Sequence, residues 1–167
     1  DTLIGDSNSN WLAGGGGSDT LLGGAGDDVL IIDALDEQEN ISGGDGFDIV
    51  QVVGEDGVNF NLSQAQVELA EGGDGDDILV GGGTASVFIS GGDGEDELFG
   101  FGGIDILNGG RGHDWLVGGQ RNDTLTGGEG RDTFVFNQGD KYDVIVDFSK
   151  TDDRLVIGGG GTIGQVT

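Results

Sequence analysis

A nine-residue period runs through this chain and limits what it can become. The unit reads G-G-x-G-x-D-x-U-x, where U is a large apolar residue. It appears in full at Gly14–Leu22, Gly23–Ile31, Gly43–Gln51, Gly72–Val80, Gly91–Phe99, Gly109–Val117 and Gly127–Val135. Near-matches fill Gly100–Asn108 and Gly118–Thr126, the latter with Arg121 in place of the fourth glycine. Gly5–Ala13 keeps the period with Asn10 at the aspartate position, and Asp1–Ile4 fits the last four positions of a further unit. From Gly91 to Val135 the units follow one another without a gap. A period this short and regular is the mark of a solenoid, in which each unit buries its apolar face only against its neighbours.

Each unit divides into a six-residue turn and a three-residue strand. In the strand x-U-x, the middle side chain points to one face and its neighbours to the other. Leu21, Leu30, Val50, Leu79, Leu98, Leu107, Leu116, Leu125 and Phe134 therefore form apolar ladders. Two units make one coil of 18 residues with a strand on each side, so alternate units stack. The expected fold is all-β: a parallel β-roll, or β-helix solenoid, closed by a C-terminal capping segment.

That stacking also aligns the aspartates. Asp96, Asp114 and Asp132 fall along one edge and Asp105 and Asp123 along the other; Asp1 pairs with Asp19, and Asn10 with Asp28. Carboxylates one strand spacing apart repel each other unless a cation lies between them. The charge of the whole chain poses the same problem. Acidic residues outnumber basic ones 32 to 6, for a net charge of −26, and only 34% of residues are hydrophobic. Such a chain stays disordered or recruits cations, and the aligned aspartates favour cations. Carboxylates and turn carbonyls suit Ca²⁺, which takes ~6–8 oxygen ligands in irregular geometry, better than octahedral Mg²⁺. With no cysteine and a single histidine, His113, the chain lacks the soft ligands of zinc or copper sites.

Other classes are excluded on similar grounds. So acidic a chain lacks a nucleic-acid footprint, and no apolar run approaches the ~18 residues of a membrane span. The metalloprotease, serine-elbow and P-loop signatures are absent, and the repeated aspartates already have structural work, so the segment is read as non-catalytic. Without methionine or a leader-like start, it reads as a piece of a longer protein.

These repeats closely resemble the RTX (repeats-in-toxin) family of haemolysin-type calcium-binding proteins, over most of residues 1–157. The resemblance implies a right-handed parallel β-roll, several Ca²⁺ ions held in the turns, and a secreted or cell-surface protein exported by type I secretion machinery. It also implies a ligand set. Side-chain oxygens would come from Asp19, Asp28, Asp48, Asp77, Asp96, Asp105, Asp114, Asp123 and Asp132. Carbonyls would come from second and fourth positions such as Gly15, Gly17, Gly24, Gly26, Gly92, Gly94, Gly110, Gly112, Gly128 and Gly130. Asp132–Ile157 looks like the family's C-terminal cap, with Phe134, Phe136, Ile145, Phe148, Leu155 and Ile157 closing the core. Asp140, Asp143, Asp147 and Asp152 are open to two readings, calcium ligands or solvated charge.

The domain expectation is one roll over 1–167. It comprises a first repeat block at 1–31, an enlarged-turn coil at 32–42, a repeat at 43–51 and non-calcium coils at 52–71. A second block at 72–135, a cap at 136–157 and a tail at 158–167 complete it. In the enlarged turn, Asp33, Asp36, Glu37 and Glu39 are open to two readings, ion ligands or a solvated bulge, and the bulge is preferred. Val58, Phe60 and Leu62, then Val67 and Leu69, are read as strand residues. His113 is read as solvent-facing, and Trp11 and Trp115 as outward-facing.

Three roles follow: a calcium-driven folding module, an adhesion module, or the non-catalytic arm of a secreted protease, lipase or polysaccharide-modifying enzyme. An exposed patch about Trp115 and Phe99 would favour adhesion. A cationic groove built from Arg111, Arg121 and Arg131 would favour a polysaccharide arm. Other domains of the same chain are further expected partners.

Overall fold

A computed structural model describes residues 1–158; most of the expected tail lies outside the described residues. The chain winds into stacked coils with every paired strand parallel. One wall is an eight-stranded sheet that gains one strand per coil, from Trp11–Ala13 at one end to Val144–Ile145 at the other. The opposite wall is a three-stranded sheet (Thr2–Ile4, Thr20–Ala25, Ile41–Asp45) followed by a six-stranded one running from Asn59–Asn61 to Arg154–Ile157. This is a parallel β-roll.

Register follows the apolar ladder. On the eight-stranded wall Leu12, Leu30, Val50, Ala70, Ile89, Leu107, Leu125 and Ile145 lie side by side. Phe60, Leu79, Leu98, Leu116, Phe134 and Leu155 do so across from them. All nine residues assigned to position U have no exposed surface. With two thin walls face to face, these side chains form the spine of the core, and a one-residue slip would turn each of them outward.

The strands are longer than the expected three residues. Ile106–Gly112 and Thr124–Gly130 continue through the turn glycines, which pair Gly110 with Gly128 and Gly112 with Gly130. Consecutive turns therefore stack as closely as the strands do. Glycine is required where they meet. Gly130 has φ +141°, and a Cβ there would fall on the carbonyl oxygen of Gly112. Arg121 keeps the turn geometry without glycine by adopting φ +88°, a conformation that disfavours L-residues.

The stretch without the motif continues the roll, with two corrections. Val58 and Val67 lie just ahead of the strands Asn59–Asn61 and Leu69–Gly73, and Ala70 is an inward side chain of the latter. Leu62 opens a short helix, Leu62–Ala65, instead of extending a strand; Asn61 caps it by accepting from the Gln64 N–H at 3.0 Å. That helix packs Leu62 and Ala65 into the core where the second wall changes sheets. The capping segment adds a last coil, pairing Ile145 with Leu125 and Leu155 with Phe134, and Phe148 packs edge-on against Phe134 at 6.1 Å.

Candidate metal centre

Each sixth-position aspartate is positioned by the strand that follows it. The residue at U points inward, so the aspartate two positions earlier also points inward, at the mouth of the turn. Asp19, Asp28, Asp48, Asp77, Asp96, Asp105, Asp114, Asp123 and Asp132 are all buried, none more than 3% exposed. Their two carboxylate oxygens have different roles.

Oδ1 holds the coils together. The Asp96 N–H donates to Asp114 Oδ1 at 3.0 Å, and the Asp114 N–H to Asp132 Oδ1 at 3.0 Å. On the other edge the Asp105 N–H donates to Asp123 Oδ1 at 2.9 Å. The same link joins Asn10 to Asp28, Asp28 to Asp48, and Asp77 to Asp96. Every such bond satisfies a backbone donor that would otherwise be buried without a partner.

Oδ2 has no partner. In all nine aspartates, and in Asp143, this oxygen is buried and accepts no hydrogen bond. Burial raises the carboxyl pKa, and neighbouring carboxylates raise it further. Asp96 is pushed up to about 7, and Asp105, Asp114 and Asp143 to about 6. Asp48, Asp77, Asp123 and Asp132 are raised for the same leading reason. Rows of buried anionic oxygens without donors are costly unless a cation meets them.

Carbonyls line the same turns. The carbonyl oxygens of Gly24, Gly92 and Gly110, at the second position, and of Gly26, Gly94 and Gly112, at the fourth, point at the glycine stacked on them in the next coil. Gly15 and Gly17 form an open turn with no earlier described coil beneath it. The turn carrying Gly128 and Gly130 is closed differently. Asp147 accepts from the Gly127 N–H at 2.9 Å and the Gly128 N–H at 2.8 Å. Among the described residues, no three Asp, Glu or His side chains gather closely enough to hold an ion by themselves. A dication must therefore combine carboxylates with turn carbonyls. That donor set fits a hard ion of high, irregular coordination such as Ca²⁺.

Several participants escape the nine-residue count. Asp143 occupies the sixth position of the last coil, where its Oδ1 accepts from the Asp123 N–H at 2.9 Å. Asp153 does the same for Asp132 at 3.0 Å. Both open a D-x-U triplet in the sequence (Asp143-Val144-Ile145 and Asp153-Arg154-Leu155), and that signal identifies them. Asp36 and Glu68 stand in for the missing aspartates: the Asp19 N–H donates to Asp36 Oδ1 at 2.7 Å, and the Asp48 N–H to Glu68 Oε2 at 2.9 Å. Asp36 thus has a structural partner, contrary to the bulge reading. Val58 and Val87 break the row, because each donates its N–H to the next aspartate but offers no oxygen in return.

His113 and the three arginines of the expected cationic groove are now placed. His113 is exposed, and its Nδ1 accepts from the Arg131 N–H at 2.9 Å. Arg111 is held by Asp93 at 3.3 Å and lies 3.8 Å from Glu129. Arg111 and Arg131 share one edge of the roll, whereas Arg121 lies on the other, beside Asp140. The three do not form a common cationic groove.

The family model for the RTX calcium-binding nonapeptide repeat matches four times, at residues 1–30, 69–87, 88–116 and 108–140. The chain belongs to the RTX calcium-binding repeat family. Repeats of this family bind several Ca²⁺ ions, and the family is typical of secreted proteins. An RTX roll is a structural calcium-binding module, not a catalytic one. The matches pass over residues 31–68, the stretch in which Asp36, Val58 and Glu68 occupy the aspartate row. A search of curated proteins finds no significant match.

Proposed function

We propose that residues 1–167 are one calcium-driven folding and stabilising module of a protein exported by type I secretion machinery. Ions are held between consecutive turns by the Oδ2 atoms of the sixth-position aspartates, Asp19 through Asp132, and by carbonyls of the second- and fourth-position glycines. Asp143 extends the set into the cap. The unpartnered, buried Oδ2 row carries this reading, because it occurs at every aspartate the repeat predicts and at Asp143 of the two that the cap adds.

The consequence is a switch set by location. With little calcium, as in a cytosol, 32 acidic side chains repel one another and the buried carboxylates oppose folding. Outside the cell, calcium binds sites that do not exist in the unfolded chain, so its binding free energy becomes folding free energy. In chelator, circular dichroism should show an unfolded chain with a radius of gyration of about 40 Å by X-ray scattering. Millimolar Ca²⁺ should produce β structure and bring the radius below about 20 Å, while equal Mg²⁺ should not. A chain as folded in chelator as in calcium contradicts the proposal.

A further inference from the structure

The fifth residue of the repeat, just before the aspartate position, is variable in sequence, yet its side chain is often held. From Gly23 to Asp123, each fifth residue with a short acceptor takes the N–H of the fifth residue in the next coil. The Phe47 N–H donates to Asp27 Oδ1 at 2.9 Å, the Glu95 N–H to Asp76 Oδ1 at 2.8 Å and the Ile104 N–H to Ser86 Oγ at 2.9 Å. The Arg131 N–H donates to His113 Nδ1 at 2.9 Å, and the Tyr142 N–H to Asn122 Oδ1 at 3.4 Å. Phe47 and Ile104 carry no acceptor. Glu95 carries its carboxylate one methylene further out and, among the described residues, takes no N–H from the next coil.

The need to satisfy the backbone does not account for these links. They lie at exposed turns, where water can take the same N–H. What a side chain adds is direction. The N–H of a fifth residue and the carbonyl of the fourth residue before it belong to one planar, trans peptide, so the two point opposite ways. With the Glu95 N–H drawn back to Asp76, the Gly94 carbonyl is turned forward, and its oxygen stands where a Cβ on Gly112 would fall. That carbonyl is one of those assigned to calcium above. The link between His113 and the Arg131 N–H sets the Gly130 carbonyl in the same way.

We infer that the fifth side chain is a positioning residue for calcium, aiming the fourth-position carbonyl of the next coil into the space between turns. The inference rests on the calcium reading proposed above and extends it to residues outside that ligand set. It also ranks the turns. Asp76 prepares the Gly94 carbonyl, whereas Glu95 leaves the Gly112 carbonyl to be oriented when the ion binds. A donor already aimed at its ion binds it more tightly than one that must first be ordered.

Calcium titrations of the 167-residue chain, followed by circular dichroism, test this at the exposed Asp76. Asp76→Ala should raise the midpoint for folding by about fivefold, the effect of one lost hydrogen bond. Asp76→Asn removes the same charge but keeps the acceptor, so its midpoint should stay within about twofold of wild type. Glu95→Asp brings an acceptor within reach of the His113 N–H and should lower the midpoint by about twofold or more. In saturating calcium, the Gly94 carbonyl ¹³C resonance should move in Asp76→Ala and return in Asp76→Asn. Equal midpoints for Asp76→Ala and Asp76→Asn overturn the positioning role, as does a Gly94 resonance that stays in place in Asp76→Ala. If Asp76→Ala does not fold, Glu95→Asp decides, and an unchanged or higher midpoint there overturns the role as well. A wild-type chain as folded in chelator as in calcium overturns the calcium reading beneath it.

Discussion

Asp114→Ala should raise the calcium concentration needed for folding by at least about tenfold, whereas Asp33→Ala should leave it within twofold. Asp114 lies between Asp96 and Asp132 on the same edge, so its carboxylate faces the space on both sides of its coil. Removing it takes an Oδ2 ligand from the proposed sites. It also leaves the buried Asp96 N–H without an acceptor, which costs about 1–3 kcal/mol alone. Asp33 closes a local turn by accepting from the Leu35 N–H at 2.8 Å and has no such neighbours. Asp114→Asn separates the two contributions. Its amide oxygen can still accept from the Asp96 N–H, but it carries no charge and presents no second oxygen. In chelator Asp114→Asn should be more stable than wild type, and in calcium less stable. Calcium titration of the three variants by circular dichroism reads these differences, and equal midpoints for Asp114→Ala and Asp33→Ala would contradict the assignment.

Acid should partly replace calcium. The folded-state pKa values of Asp96, Asp105, Asp114 and Asp143 lie at about 6 to 7, against the ordinary 3.8. Between about pH 4 and pH 7 the folded chain then binds more protons than the unfolded one. Without metal, stability is fully present below the unfolded pKa and falls as pH rises through the folded values. The metal-free chain should show its greatest β content below about pH 4 and lose it by pH 7.5. In calcium the dependence reverses, because the ion binds carboxylates only after they lose their protons. The calcium midpoint should therefore rise as pH drops below about 6. Thermal melts with and without chelator across this range measure both slopes, and slopes of the same sign would refute the shared role of these carboxylates.

Most of the architecture was legible because one physical pattern specifies it twice. The glycines and aspartates mark the turns while the residue at U marks the core, and both repeat at nine, so Leu98, Leu116 and Phe134 could be placed side by side from spacing alone. The structure departs from that reading where the count changes. The intervals from Asp123 to Asp143 and from Asp132 to Asp153 are 20 and 21 residues, so strict counting passes over two aspartates that occupy the same backbone position. Asp36 and Glu68 reach that position from a longer turn and on a longer side chain, which no fixed spacing reveals. Ala70 carries little apolar signal of its own, and only its register with Val50 and Ile89 shows that it faces inward while Leu69 turns outward. The fifth-position links were invisible for a related reason. Asp27, Asp76, Ser86, His113 and Asn122 occupy a variable position of the repeat, and only the stacking of coils shows that they share one role.

Crystals grown in millimolar Ca²⁺ and measured for anomalous scattering would test the central claim most directly. Peaks are expected between stacked turns, about 2.3–2.6 Å from the Oδ2 atoms of Asp96, Asp114 and Asp132 and from carbonyls of Gly92, Gly94, Gly110 and Gly112. A folded roll with no peak between those turns would show that something other than calcium satisfies the buried carboxylates, and the account would be wrong.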